Sequence, residues 1–250
     1  MPTTRSGLFL LKFVEPQFTE STLDGNIFFK RNGYFIDQEK VEMDKGIGDE
    51  REGIWSRLLN PETKQMFIED EQGNMHPLNY ISAVHRKTYT SLRNIPICCF
   101  VILDINRDFD IDMDNGTATI KYAVNEALIN QFEGRDMIFF NDHSALLKRM
   151  DTKCEELDVG KMRAIVKYYD DEKEEHPLSE IEYEDNPGAT LFFKRKFFEY
   201  QKEFRYAIRL LKEEDFMLQI GDIRDIAYDY GKVKKGDSLI DVWLRPQEQK

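Results

Sequence analysis

The chain has little cysteine: three residues in 250, Cys98, Cys99 and Cys154. They form no C-x-x-C motif and no paired framework, which excludes a small disulfide scaffold and fits a reducing, cytoplasmic setting. Histidine is equally sparse. His76, His85, His143 and His176 lie far apart, and none belongs to an H-x-x-x-H or H-E-x-x-H pattern, so no zinc site is expected. Long apolar runs are missing too. The longest, Ile95 to Leu103, is too short to cross a bilayer, and the mostly apolar residues after Gly7 are too few for a membrane span and lack a small-residue cleavage site, so no signal peptide is expected. G-x-S-x-G, G-x-x-x-x-G-K and G-x-G-x-x-G do not occur, which removes the common signatures of serine hydrolases, P-loop NTPases and Rossmann dehydrogenases.

Positive charge is in deficit. Lys plus Arg number 35 against 47 Asp plus Glu, a formal charge of −12, which disfavours bulk binding to nucleic acid or an anionic membrane. A local basic turn at Lys194, Arg195 and Lys196 is the exception that can hold a phosphate. Hydrophobic residues reach 41% and aromatics 12%, enough apolar surface to fold without a partner. Length and composition together predict one domain over 1–250, with a core from about 8 to 245 and a tail at 246–250.

Along the chain, Leu8–Val14 reads as a strand buried on both faces and interrupted by Lys12, whose charge then needs a partner. Glu15-Pro16 opens a short helix that ends at Asp24-Gly25, and Ile27–Phe29 is a second strand. Asn32-Gly33 is a turn signal leading to Tyr34 and Phe35, and 37–53, with Gly46, Gly48 and Gly53, reads as a polar surface loop. Met66–Ile68 forms one arm of a hairpin returning through His76-Pro77. Ile97–Leu103 is the strongest strand, with Thr117–Val124 expected as its antiparallel partner.

A helix over Asn125–Phe132, a strand at Met137–Phe140 and a helix over His143–Leu157 capped by Asp142 follow. Lys161–Tyr169 is a strand, and 170–187 is a charged stretch expected to be a mobile surface loop. Arg205–Leu211, Phe216–Ile220 and Leu239–Leu244 complete the strands. They outnumber clean β-α-β units, so the fold class is α+β: a mixed, mainly antiparallel sheet with a few packed helices in a single domain.

The alternating carboxylates from Asp104 to Asp114 suit a calcium loop in type, since a hard cation takes oxygen ligands. The spacing does not follow. A loop starting at Asp110 puts Asn115 where Gly is required, and no Glu stands where the loop should close, so an acidic turn is expected there. Two clusters remain. Gly48-Asp49-Glu50-Arg51-Glu52-Gly53 packs three carboxylates between glycines; in Tyr200-Gln201-Lys202-Glu203-Phe204-Arg205, strand alternation puts Glu203 and Arg205 on one face and Phe204 on the other. Glu203 beside Arg205 reads either as an ion pair serving the fold or as a preorganised acid in a cleft.

Three stretches resemble a widespread group of bacterial and phage proteins built on a domain of unknown function. They are Gly25 to Gly53 with its Gly-Asp-x-x-Glu-Gly ending, Phe192 to Arg205 with Tyr-Gln-x-Glu-Phe-Arg, and Ile220 to Ile226 with Ile-Gly-Asp-Ile-x-Asp-Ile; the resemblance spans about residues 8 to 228. The order of a basic residue on the first strand, a following aromatic and a late strand Glu is also similar to ADP-ribosyltransferase-like folds. That resemblance implies Glu203 as the catalytic carboxylate, Tyr34 against the nicotinamide ring, and Lys12 or Arg205 on the pyrophosphate of NAD as co-substrate; Asp49 and Glu52 join the candidate binding residues. Lys12 departs from the Arg or His such folds carry.

Two functions follow from the resemblance. One is ADP-ribosyl transfer or NAD cleavage in bacterium–phage conflict, which requires Lys12, Tyr34, Glu203 and Arg205 to converge on a cleft with Glu203 open to solvent. The other is a noncatalytic module binding a nucleotide or protein partner, which requires Glu203 to be buried in a pair with Arg205.

Overall fold

A computed structural model describes residues 7–42, 49–210, 213–236 and 238–243. Gly46, Gly48, Leu211, Leu244 and the 246–250 tail lie outside these residues. The main sheet comprises β1 (Leu8–Val14), β2 (Asn26–Arg31), β3 (Pro96–Asp104), β4 (Asp136–Phe140), β5 (Gly160–Ile165), β6 (Glu203–Arg209), β7 (Phe216–Gln219) and β8 (Ala227–Lys232). Its order is β5-β6-β3-β1-β4-β8, with β2 joining β3 to β7, and every pairing in it is antiparallel. A parallel pair, Lys167–Tyr169 with Phe193–Arg195, makes the whole mixed, as the α+β reading anticipated.

Both faces of the central strands are covered, which is why β1 and β3 read as continuous apolar runs. On one face Leu10, Phe100, Ile138, Phe140, Tyr206 and Ile208 meet Leu146 and Met150 of a helix over His143–Glu156. On the other, Leu11, Phe13, Val101, Leu103 and Phe139 meet Leu128 and Ile129 of a helix over Tyr122–Phe132. Alternation along each strand thus divides one sheet between two cores.

Several local expectations are corrected. Asn32-Gly33 is not a hairpin turn; it opens a helix over Asn32–Glu42, its first N–H donating to the Ile95 carbonyl at 2.9 Å. The helix takes in Tyr34 and Phe35 and the start of the stretch read as a loop. Thr117–Ile120 does not pair with β3, because β6, β1 and β2 occupy the edges of that strand; it pairs with Phe109–Asp112 and with Asp241–Trp243. The run Lys161–Tyr169 breaks at Val166, whose N–H donates to the Glu203 carbonyl at 2.9 Å.

The charged stretch 170–187 holds a helix over Glu180–Asp185 with a Ser179/Glu182 capping box. From this helix the buried Tyr183 stacks on Trp55 with ring centroids 5.7 Å apart. The Trp55 indole N–H donates to the Leu178 carbonyl at 2.9 Å. Trp55–Leu59 and Ala83–Lys87 form an antiparallel pair that encloses the hairpin of Met66–Glu69 and Met75–Leu78; neither this pair nor β8 stands out in the sequence.

Candidate functional site

The site begins where the sheet parts. Strand β3 is held by β1 only from Val101 to Asp104 and by β2 only at Pro96 and Ile97, so Cys98, Cys99 and Phe100 have no strand beside them on that edge. Lys12 fills the gap. Its ammonium donates to the Cys99 carbonyl at 3.3 Å and to the Cys98 thiol at 3.1 Å, and it lies 5.0 Å from the Phe100 ring centroid. These are the partners its charge required, and none is a carboxylate.

A cavity of about 440 Å³ opens at this gap, within the range of small-ligand pockets. Lys12, Tyr34, Glu203 and Arg205 all line it, together with Lys30, Arg135 and Lys194. One wall carries Phe28 and Tyr34, with the Lys30 ammonium 4.7 Å from the Tyr34 ring centroid. Phe132 also lines the cavity, stacked on Phe13 at 4.2 Å, with the Arg135 guanidinium 5.9 Å from the Phe132 ring centroid. Among the described residues the lining therefore presents five cationic side chains against a single carboxylate, Glu203.

Beneath the cavity the charges are locked together. Arg205, 1% exposed, donates Nε to Glu203 Oε2 at 2.6 Å, a two-point contact to Glu52, and Nη1 to the Leu191 carbonyl at 2.7 Å. Lys194 donates to the other Glu203 oxygen at 2.6 Å and to Gln201 at 2.7 Å. The Glu203 N–H donates to the Tyr168 hydroxyl at 2.9 Å. Two buried carboxylates thus face two buried cations and the group is neutral, the condition under which such burial is tolerated.

Burial raises the Glu203 carboxyl, but the Arg205 and Lys194 charges outweigh it and hold the group far below the usual carboxylate range. At Glu52 burial prevails and the carboxyl is raised, against the pull of Arg205 and Lys194. Burial, then the Glu203 charge, pushes the Cys99 thiol well above its ordinary value.

The structure brings Lys12, Tyr34, Glu203 and Arg205 to one cavity and leaves Asp49 and Glu52 out of its lining. Glu52 stands behind Arg205, and Asp49 accepts from Arg195 Nε at 2.8 Å. Lys194 and Arg195, read as a basic turn on the surface, instead point inward to Glu203 and Asp49. Lys30, Phe132 and Arg135 were passed over. The i, i+2 spacing of Phe28 and Lys30 on β2 was the available signal, since it puts both on one face; nothing in the sequence ties residues 132–135 to them.

These features define an α+β protein with a cation-lined cavity set in a parted antiparallel sheet. Compared with known proteins, the chain gives no significant match to a family model, a curated protein or a solved structure. Among the described residues no helix is long and apolar enough to cross a membrane.

Proposed function

We propose that this protein is a noncatalytic binding module whose sheet-gap cavity takes a small anionic ligand of nucleotide type. The observation that carries the reading is the state of Glu203: it is 7% exposed and both carboxylate oxygens are held by buried cations. A carboxylate that stabilises developing positive charge on a ribose needs an oxygen directed at that ribose. Here the oxygens serve the protein, while the cation excess faces the cavity and suits an anion.

The convergence of Lys12, Tyr34, Glu203 and Arg205 favours a second reading, NAD cleavage with ADP-ribosyl transfer. In that case Glu203 would have to leave Lys194 or Arg205 when NAD enters. The bacterium–phage setting follows from the resemblance of the Gly48–Gly53 and Tyr200–Arg205 stretches, and a cytoplasmic location from the three free thiols.

Calorimetric titration with NAD, ADP and AMP, run beside an assay for nicotinamide release from NAD, separates these readings. The expected result is heat from at least one nucleotide, with no nicotinamide released above background. Release that disappears in Glu203→Gln would establish the transferase; absence of heat from every nucleotide would dismiss the binding reading.

A further inference from the structure

We infer that the ligand of this cavity carries a single phosphate group on a flat ring, as a nucleoside monophosphate does, with the phosphate seated on Lys12. The inference rests on the binding-module reading and adds the ligand's charge and its orientation. It comes from matching the cavity's cations to their carboxylates. Lys30 is paired at 2.7 Å with Asp215, a carboxylate it shares with Arg31, and Arg135 with Glu15 at 3.1 Å, while Lys194 and Arg205 are each 2.6 Å from Glu203 and Glu52 backs Arg205. Among the described residues of this lining, Lys12 alone has no carboxylate; it is held by a thiol, a carbonyl and a ring face.

The cavity therefore has one cation to offer to an incoming anion, enough to seat one phosphate. A pyrophosphate would place a second phosphate beside cations that each already hold a carboxylate. A lysine ammonium holds phosphate as a point charge with rotatable donors, and both guanidinium groups of the lining, whose forks take either carboxylate or phosphate, are engaged. The aromatic lining residues Phe28, Tyr34 and Phe132 supply ring surface to a flat ring, and base–aromatic stacking tolerates any base. The thiol and carbonyl that now hold Lys12 are weak competitors for it. A phosphate oxygen replaces them with a charge-assisted bond.

The test is calorimetric binding of AMP, ADP, NAD, adenosine and inorganic phosphate to the full-length wild type, Lys12→Gln and Lys12→Arg, with thermal melting to verify folding. In the wild type AMP should bind at least tenfold more tightly than adenosine, and more tightly than ADP or NAD. Lys12→Gln should bring AMP down to the level of adenosine while adenosine itself is unchanged, and Lys12→Arg should restore part of the difference. Equal binding of AMP and adenosine by the wild type overturns the phosphate seat but leaves the binding module standing. Tighter binding of ADP or NAD than of AMP overturns the single-phosphate count, and a wild type that binds none of these probes removes both readings. The wild-type comparison decides even if Lys12→Gln does not fold.

Discussion

Arg205→Met is expected to destabilise the protein by about 3–5 kcal/mol, a large part of the roughly 5–15 kcal/mol that holds a typical domain together. Methionine nearly matches the arginine stem in length, so the loss is chiefly electrostatic. Without the guanidinium, Glu52 at 2% and Glu203 at 7% exposure are left with Lys194 as their buried cation, and the Leu191 carbonyl loses its donor. The pair Glu52→Gln and Arg205→Met, made singly and together, forms a double-mutant cycle whose readout is the urea midpoint at constant m value. The double variant should be less destabilised than the sum of the singles, because removing Glu52's charge relieves part of what Arg205→Met exposes. Additive effects would show that the two side chains do not act as a unit.

The second large effect is one of pH. His176 is 6% exposed, packed between Tyr169 and Phe193 at centroid distances of 5.1 and 4.9 Å, and its Nδ1 accepts the Leu178 N–H at 3.1 Å. That bond requires an unprotonated Nδ1, and burial lowers the imidazole pKa to about 4. The folded value lies below the unfolded value of about 6.5, so the stabilisation from neutral His176 is complete above that pH and is lost as the pH falls toward 4. The size of the step is roughly 3 kcal/mol, from about 1.4 kcal/mol per pKa unit. His176→Gln, which keeps an acceptor but does not titrate there, should flatten the stability curve between pH 6.5 and 4. An unchanged curve would mean that His176 protonates without penalty. The Glu203 carboxylate acts in a lower window, since its depressed folded value means its stabilisation is lost only as the pH falls below about 4.5.

The sheet was legible from the sequence wherever burial on both faces wrote an apolar run, as in Leu8–Val14 and Ile97–Leu103. It was illegible at strands such as Trp55–Leu59 and Ala227–Lys232, whose half-polar patterns resemble surface loops. Pairing was harder still. Thr117–Ile120 alternates as a partner of β3 would, but alternation says which face a residue takes and not which strand lies beside it. At the site, strand period alone put Glu203 and Arg205 on one face, and the structure joins them at 2.6 Å. That Lys194 takes the second oxygen of Glu203 could not be read, because it depends on a parallel pairing between residues 167–169 and 193–195.

The buried charge network also bears on the order in which the chain folds. Arg205 and Glu52 are separated by 153 residues in sequence, and Arg195 and Asp49 by 146. Each bond closes a long loop, and ions of this kind gain from one another only after the surrounding core has excluded water. They are expected to form in the last stage of folding, after the barrier. The network is therefore a clasp on the finished molecule: loosening it should quicken unfolding far more than it slows folding, and the segment around Asp49–Glu52 should be among the first to open.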